Sequence, residues 1–295
     1  MDYQLRDYQR KIANGEGDVH EYFHLLNRAG QLGPYIAQNT NTYQAQMVQK
    51  HLLNFRSANF FPVINDWDSR KPALQAAHWL VSNNLADRVM VVTSAASLPA
   101  WVELIQSLFP IPSYLNISGR NWRESIPYLF QNIDKIKIAS ITYGGLTSLR
   151  YRPITGITKC WPYVPENIRD SNKYPLLQWP VIIADEIQNI KNHDSQRHNS
   201  LVTFSHLANA RWRIALGNPI TNSLLDLWSI YQFIDPTFFN MSRYAFRDTY
   251  MIASPTTYKS TWRNWQPNPK MIPHLIKKLE DSAVFSPNNI RQSDH

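Results

Sequence analysis

The chain has 295 residues, 43% of them hydrophobic and 18% charged, which is enough apolar material for the core of one large domain or two modest ones and excludes a wholly disordered polypeptide. Its one cysteine, Cys160, excludes an intrachain disulfide and a cysteine-based zinc cluster and points to a reducing, intracellular compartment. No stretch approaches the length of a membrane span and the start MDYQLRDYQRK is polar, so a soluble, non-secreted protein without membrane partners is expected; a net charge of +8 with ten tryptophans and fifteen tyrosines is compatible with a polyanionic partner.

Residues 1–40 read as a helical N-terminal extension, helix-compatible from Asp18 to Arg28 and loosening through Gly30, Gly33 and Pro34. Within it, His20-Glu21-Tyr22-Phe23-His24 satisfies H-E-x-x-H, the pattern that sets two imidazoles on one helix face beside a general-base glutamate. No third ligand can be nominated, and the alternative is a surface helix that packs Tyr22, Phe23 and Leu25 and leaves the histidines solvated. Gln44 to Phe55 has a helical pattern, and Asn59 to Asn65 (NFFPVIN) reads as the first strand. Asp66 to Gln75 (DWDSRKPALQ) then turns into a helix whose first turn carries Pro72, where a missing N–H is harmless.

Arg88 to Thr93 (RVMVVT) is a near-continuous apolar strand, followed by a turn and a helix over Ser94 to Pro110. Pro112 to Ile117 and Ile136 to Thr142 are further strands, and Leu149 to Gln178, rich in Pro, Tyr and Arg with no period, is an inserted loop. Trp179 to Asn192 (WPVIIADEIQNIKN) is an apolar run of strand length that ends in two adjacent carboxylates. Trp212 to Leu216 is a last strand, Leu224 to Phe233 an amphipathic helix, and the segment from Tyr250 through Pro267 irregular. A Lys-rich helix around Met271 to Asp281 and a frayed tail over Ser286 to His295 close the chain.

Strands alternating with helices imply an α/β domain whose central, mostly parallel sheet of six or seven strands carries helices on both faces. In such sheets ligands sit outside the carboxyl ends of the strands, so Asp185 and Glu186 would face a crevice that suits a nucleotide. The plainer alternative is a strand that ends in a solvated Asp-Glu pair.

The company of that pair resembles the Asp-Glu box of the Swi/Snf-type chromatin-remodelling ATPases, within the superfamily-two helicase-like proteins. Trp179, Asp185, Glu186, Gln188, Lys191, Asn192 and Ser195 fall into the family pattern, as do Asn222, Leu227, Trp228, Phe233 and Pro236 downstream, and then Phe246 and Tyr250. Pro99 and Trp101 match the motif that meets the DNA backbone, although Ser94 and Ala96 replace its usual proline and serine. Leu5 to Gln9 imitates the opening signature at the wrong distance; Thr42-Tyr43-Gln44 stands at the right one.

The resemblance, from Tyr43 to Tyr250, implies one RecA-like lobe of a phosphate-loop NTPase, using ATP and Mg²⁺. Asp185 would hold Mg²⁺ through water, Glu186 would orient the attacking water, Gln44 would read adenine, and Gln188, Ser69 and Lys71 would line the nucleotide. Ser94, Thr142 and Tyr143 would meet nucleic acid. It also implies DNA or a nucleosome as partner, a second ATPase lobe or another protein across the cleft, and a nuclear location.

The phosphate loop departs from the family. Such a loop works because glycines let backbone N–H groups converge on the phosphates while a Lys and a Ser/Thr hydroxyl reach phosphate and Mg²⁺. DWDSRKPALQ has no glycine, and aligning Asp66 and Gln75 puts Pro72 at the lysine position and Ala73 at the hydroxyl position. The Thr-Gly-Thr-Pro that usually follows the last strand is reduced to Gly217-Asn218-Pro219. Three segments are therefore expected: an extension at 1–40, a RecA-like lobe at 41–250 with an insert at about 149–178, and a C-terminal tail at 251–295. The function expected is that of a Swi/Snf-like ATP-binding lobe of a DNA translocase, inactive or weak alone; the alternative is a catalytically dead lobe serving as a protein or DNA docking scaffold. A zinc hydrolase built on His20, Glu21 and His24 is the remaining rival.

Overall fold

The computed structural model describes residues 59–61, 70–109, 113–118, 125, 128–129, 131–151, 178–253, 265–280 and 283–285. The N-terminal extension with its H-E-x-x-H pattern, Gln44, Ser69 and most of the insert lie outside these residues.

Seven parallel strands form the central sheet: β1 (Asn59–Phe61), β2 (Val89–Thr93), β3 (Tyr114–Asn116), β4 (Ile138–Thr142), β5 (Val181–Ala184), β6 (Trp212–Leu216) and β9 (Ala283–Phe285). Their order is β3-β4-β2-β5-β6-β1-β9. Every residue of β2 and β5 is buried, as near-continuous apolar runs require when helices cover both faces of a parallel sheet.

The pleat divides these side chains between two cores. Met90, Val92, Ile182 and Ala184 point into one, and Val89, Val91, Val181 and Ile183 into the other. The second core is closed by α1 (Arg70–Ser82), through Ala73, Leu74, Ala77 and Leu80, and by α2 (Leu98–Leu108), through Trp101 and Ile105. The first and larger core lies under α3 (Tyr143–Tyr151), α4 (Gln196–Leu207), α5 (Leu225–Ile234), α6 (Arg243–Tyr250) and α7 (Ile272–Glu280). The predicted α/β architecture, with a mostly parallel sheet between two helical layers, is the one observed.

Several details differ from expectation. Helix α5 is not amphipathic: eight of its ten residues, Asp226 and Ser229 included, are buried, because it runs under α6 and over β6 and so has little solvent-facing side. Three helices went unpredicted: α3, α4 and α6, the last covering Phe246 and Tyr250, which were read only as a family match. Helix α3 begins directly after β4 and runs to Tyr151, into what read as the start of the insert. Helix α4 is disguised by burying His198, Ser200 and Ser205 alongside Leu201 and Phe204, which blurs the apolar stripe that periodicity detects. The two ends of the segment expected to be irregular after Tyr250 are strands, β7 (Met251–Ala253) and β8 (Trp265–Pro267), which pair antiparallel. Strand β9 also returns from the tail to pair with β1.

Candidate functional site

The backbone N–H of Asp185 donates to the Val92 carbonyl at 2.8 Å, carrying the β5–β2 ladder one residue past the strand. Glu186 then adopts a left-handed conformation, φ 51° and ψ 53°, uncommon for a residue with a Cβ. This breaks the strand and starts a single 3-10 turn, Ile187–Ile190. The two carboxylates therefore leave the sheet edge in different directions.

The Asp185 carboxylate turns inward, with the residue only 5% exposed. Its Oδ2 accepts from the Trp101 indole Nε1 at 2.7 Å, from Arg70 Nε at 3.0 Å and from Thr93 Oγ1 at 3.2 Å. Its Oδ1 accepts from the Glu186 backbone N–H at 2.9 Å. An ionised carboxylate offers roughly four lone-pair directions, two on each oxygen; three donors crowd Oδ2 and one meets Oδ1. Arg70 also donates through Nη2 to Ser97 Oγ at 3.1 Å, and the Ser97 hydroxyl donates in turn to Glu186 Oε1. One guanidinium thus holds Asp185 directly and Glu186 through a hydroxyl.

The residues expected at nucleic acid sit at adjoining strand ends. Ser94 Oγ accepts from the Ser97 N–H at 3.1 Å. Thr142 Oγ1 accepts from the Gly145 N–H at 3.0 Å and caps α3. Tyr143 is 2% exposed and donates its hydroxyl to the Asp185 carbonyl at 2.8 Å. Burial pushes the Tyr143 hydroxyl well above its ordinary range, and the Asp185 and Glu186 charges push the same way, so it stays a neutral donor.

Gln188 lies against Gly217 on the other side of the box. Gly217 has φ +118°, and a Cβ there would stand 2.6 Å from Gln188 Oε1 and 3.1 Å from Glu186 Cα. The loop after β6 is anchored by Asp226, whose Oδ2 accepts from the Thr221 N–H, the Thr221 hydroxyl and the Asn222 N–H, each at 3.0 Å. Lys191 Nζ donates to Thr221 Oγ1 at 2.7 Å, which joins this loop to the box. Beside Gln188 opens a cleft of about 630 Å³ lined by Gly144, Thr147, Lys191, Asn192, Ser195 and Arg197 among others, with no carboxylate among the described lining residues. Lys71 is exposed on the first turn of α1.

A hydrated Mg²⁺ needs carboxylate oxygens with free acceptor directions. Asp185 Oδ2 is taken by three donors, one of them the Arg70 cation. Ala73, at the family's hydroxyl position, is wholly buried in the second core, and Pro72 stands at the lysine position in the first turn of α1. As arranged, these residues do not fit Mg²⁺ bridging to a triphosphate.

Arg70, Thr93, Ser97 and Trp101 did not emerge from the sequence as partners of the box. Trp101 was visible as a family match but assigned to the DNA-facing motif. The signal for Arg70 was an arginine in a stretch where relatives carry glycines.

Comparison with known proteins follows the same lines. The family model for the SNF2-related domain matches residues 14–280. The chromatin-remodeling ATPase INO80 of Saccharomyces cerevisiae is 29% identical over 168 residues, 56% of this chain and 10% of that protein. INO80 of Debaryomyces hansenii is 38% identical over 169 residues, 56% of this chain and 11% of that protein, and helicase ssl-1 of Caenorhabditis elegans is 41% identical over 73 residues, 24% and 3%. The chain therefore spans about a tenth or less of the curated relatives it matches. Among solved structures, the Sulfolobus solfataricus SWI2/SNF2 ATPase core in complex with dsDNA superposes with a TM-score of 0.58 at 18% identity, covering 85% of this chain and 45% of that one. The SWI2/SNF2 ATPase core domain of the same organism gives a TM-score of 0.55 at 18% identity, over 84% of this chain and 43% of that one, a likeness of fold. The chain belongs to the SNF2-related domain family, and within it corresponds to the N-terminal RecA-like lobe of a Swi/Snf-type, superfamily-two ATPase.

Proposed function

We propose that this lobe serves a nuclear, Swi/Snf-type assembly as a DNA-docking and partner-docking module, and that it hydrolyses ATP weakly or not at all. The observation that carries this reading is the state of Asp185, whose Oδ2 already accepts from Trp101, Thr93 and the Arg70 guanidinium, so that a fixed cation stands where a hydrated metal would sit. The altered loop supports it, since the lysine and hydroxyl that would meet phosphate and metal are Pro72 and Ala73.

On the docking side, relatives named as chromatin remodellers and a Sulfolobus relative solved with dsDNA supply the partner class. The cleft bearing Lys191 and Arg197, with no carboxylate among its described lining residues, supplies a surface of suitable sign. DNA docks through phosphate contacts, so its affinity should fall steeply with salt. A second lobe or a protein partner completes the assembly.

Calorimetry with Mg·ATP on the full chain and on Asp185→Ala tests the nucleotide half of the proposal. No heat from either is expected; binding by the unmodified chain that Asp185→Ala removes would overturn it. Fluorescence anisotropy with a labelled DNA duplex at two salt concentrations tests the docking half. Salt-sensitive binding is expected, and no binding at low salt would leave a protein partner as the module's ligand.

A further inference from the structure

We infer that Arg70 is a built-in cation for the Asp-Glu box: its guanidinium fills the seat of a divalent ion, and its removal would open a cation site formed by Asp185, Glu186, Thr93 and Ser97. The inference rests on reading Asp185 and Glu186 as a carboxylate pair of the metal-holding type, and does not depend on whether the lobe binds ATP.

The geometry points this way on three counts. The guanidinium reaches both carboxylates, Asp185 through Nε at 3.0 Å and Glu186 through the bridging Ser97 hydroxyl, which accepts from Arg70 Nη2 at 3.1 Å. A metal in a two-carboxylate site makes the same pair of links, one direct and one through a bound water. Second, the donor set left behind is all oxygen: two carboxylates, with the Thr93 hydroxyl 3.2 Å from Asp185 Oδ2 and the Ser97 hydroxyl on Glu186. Hard cations such as Mg²⁺ and Mn²⁺ choose that set. Third, the Arg70 side chain is 28% exposed whereas that of Asp185 is 7% exposed, so solvent meets the cation and, through its place, would meet the carboxylate behind it.

Arginine suits the seat. Its charge does not titrate away, and a guanidinium is more weakly hydrated than an ammonium or a small metal ion, so it tolerates the half-buried position. It is tethered to the start of α1, so its local concentration at the carboxylate far exceeds the millimolar range typical of a flexibly linked partner. A free divalent ion must displace it against that advantage. Arg70 is the first residue of α1, a position where a glycine would present backbone alone.

Manganese provides the test, because a bound Mn²⁺ loses its sharp six-line paramagnetic resonance signal. The full 295-residue chain, Arg70→Ala, and Arg70→Ala combined with Asp185→Asn would be titrated with MnCl₂ without nucleotide. Arg70→Ala should bind one Mn²⁺ at least tenfold more tightly than the unmodified chain, and adding Asp185→Asn should return the affinity to the starting level. A gain below tenfold, or a gain that survives Asp185→Asn, would overturn the inference. Arg70→Gln keeps an amide donor for Asp185 and provides the same comparison, with the same thresholds, should Arg70→Ala not fold by circular dichroism. Mg·ATP binding by the unmodified chain would sink the proposed function and leave this result standing. An absent Mn²⁺ gain would sink the inference without restoring ATP binding.

Discussion

The four residues from Asp185 to Gln188 face two differently built surroundings. On the Asp185 side Trp101, Arg70, Thr93 and a backbone N–H converge on one buried carboxylate. On the Gln188 side an amide oxygen is buried without a hydrogen bond, and a cleft with Lys191 and Arg197 in its wall opens next to it. A group that will bind a ligand keeps polar capacity in reserve, and a group that braces a fold uses all of it. By that criterion Asp185 is tied into the fold by four hydrogen bonds, whereas Gln188 holds polar capacity in reserve.

The largest expected effect probes the braced side. Arg70→Ala leaves Asp185 buried without its counter-charge, and breaking one partner of a buried pair costs about 3–5 kcal/mol; the partial exposure of Arg70 places the loss at about 3 kcal/mol, read as a shift of the urea unfolding midpoint. Such a loss would be a large part of a domain's total stability. A change below about 1 kcal/mol would mean that the network is ornamental.

Gly217→Ala comes next. Its φ of +118° is a conformation L side chains rarely adopt, and the new Cβ would meet Gln188 Oε1 at 2.6 Å and backbone atoms at 3.1 Å. Strain of this kind costs about 1–3 kcal/mol. The variant should also change the cleft, because Gln188 must move, so duplex binding should change together with stability.

Lys191→Ala sharpens the contrast, since it should affect the two readouts in opposite measure. An accessible side chain that donates to Thr221 contributes about 0.5–1.5 kcal/mol to folding. As a phosphate contact it should weaken duplex binding and reduce the slope of log affinity against log salt by about 1. An unchanged salt slope would remove Lys191 from the docking surface.

The smallest effect is a pH slope. Burial lowers the His198 pKa below its ordinary value of about 6.5, and the neighbouring His193 acts in the same direction; the Ser229 carbonyl, the Asn199 side chain and Asp194 oppose it. The unfolded chain then takes up the proton first, so the His198 contribution is complete above about pH 6.5 and is lost as pH falls through the folded value. Denaturation midpoints compared at neutral and mildly acid pH should show this loss, and His198→Gln should flatten it.

Much of the fold could be read from periodicity because strands buried on both faces are written as apolar runs. β2 and β6 came out within a residue of their bounds, and Ser195, matched as part of a family pattern, is the N-cap of α4, accepting from the His198 N–H at 3.2 Å. Helix α4 escaped because it buries polar residues, and β9 because three residues carry too little pattern to be distinguished from a tail.

The sequence by itself determined the alternation of strands and helices, the family, the position of the Asp-Glu box at a strand end, and the loss of glycine, lysine and hydroxyl from the phosphate loop. These are local or additive properties, carried by spacing along the chain. Only the tertiary structure decided what the box does with its charges. Arg70 and Asp185 are 115 residues apart, and Trp101 and Asp185 are 84 apart. Such pairs meet because the sheet order sets β2, with the start of α2 at its end, next to β5, while α1 packs across the same face. No spacing rule along one chain records which distant donor will reach a carboxylate; the sheet order and the packing of helices across it do.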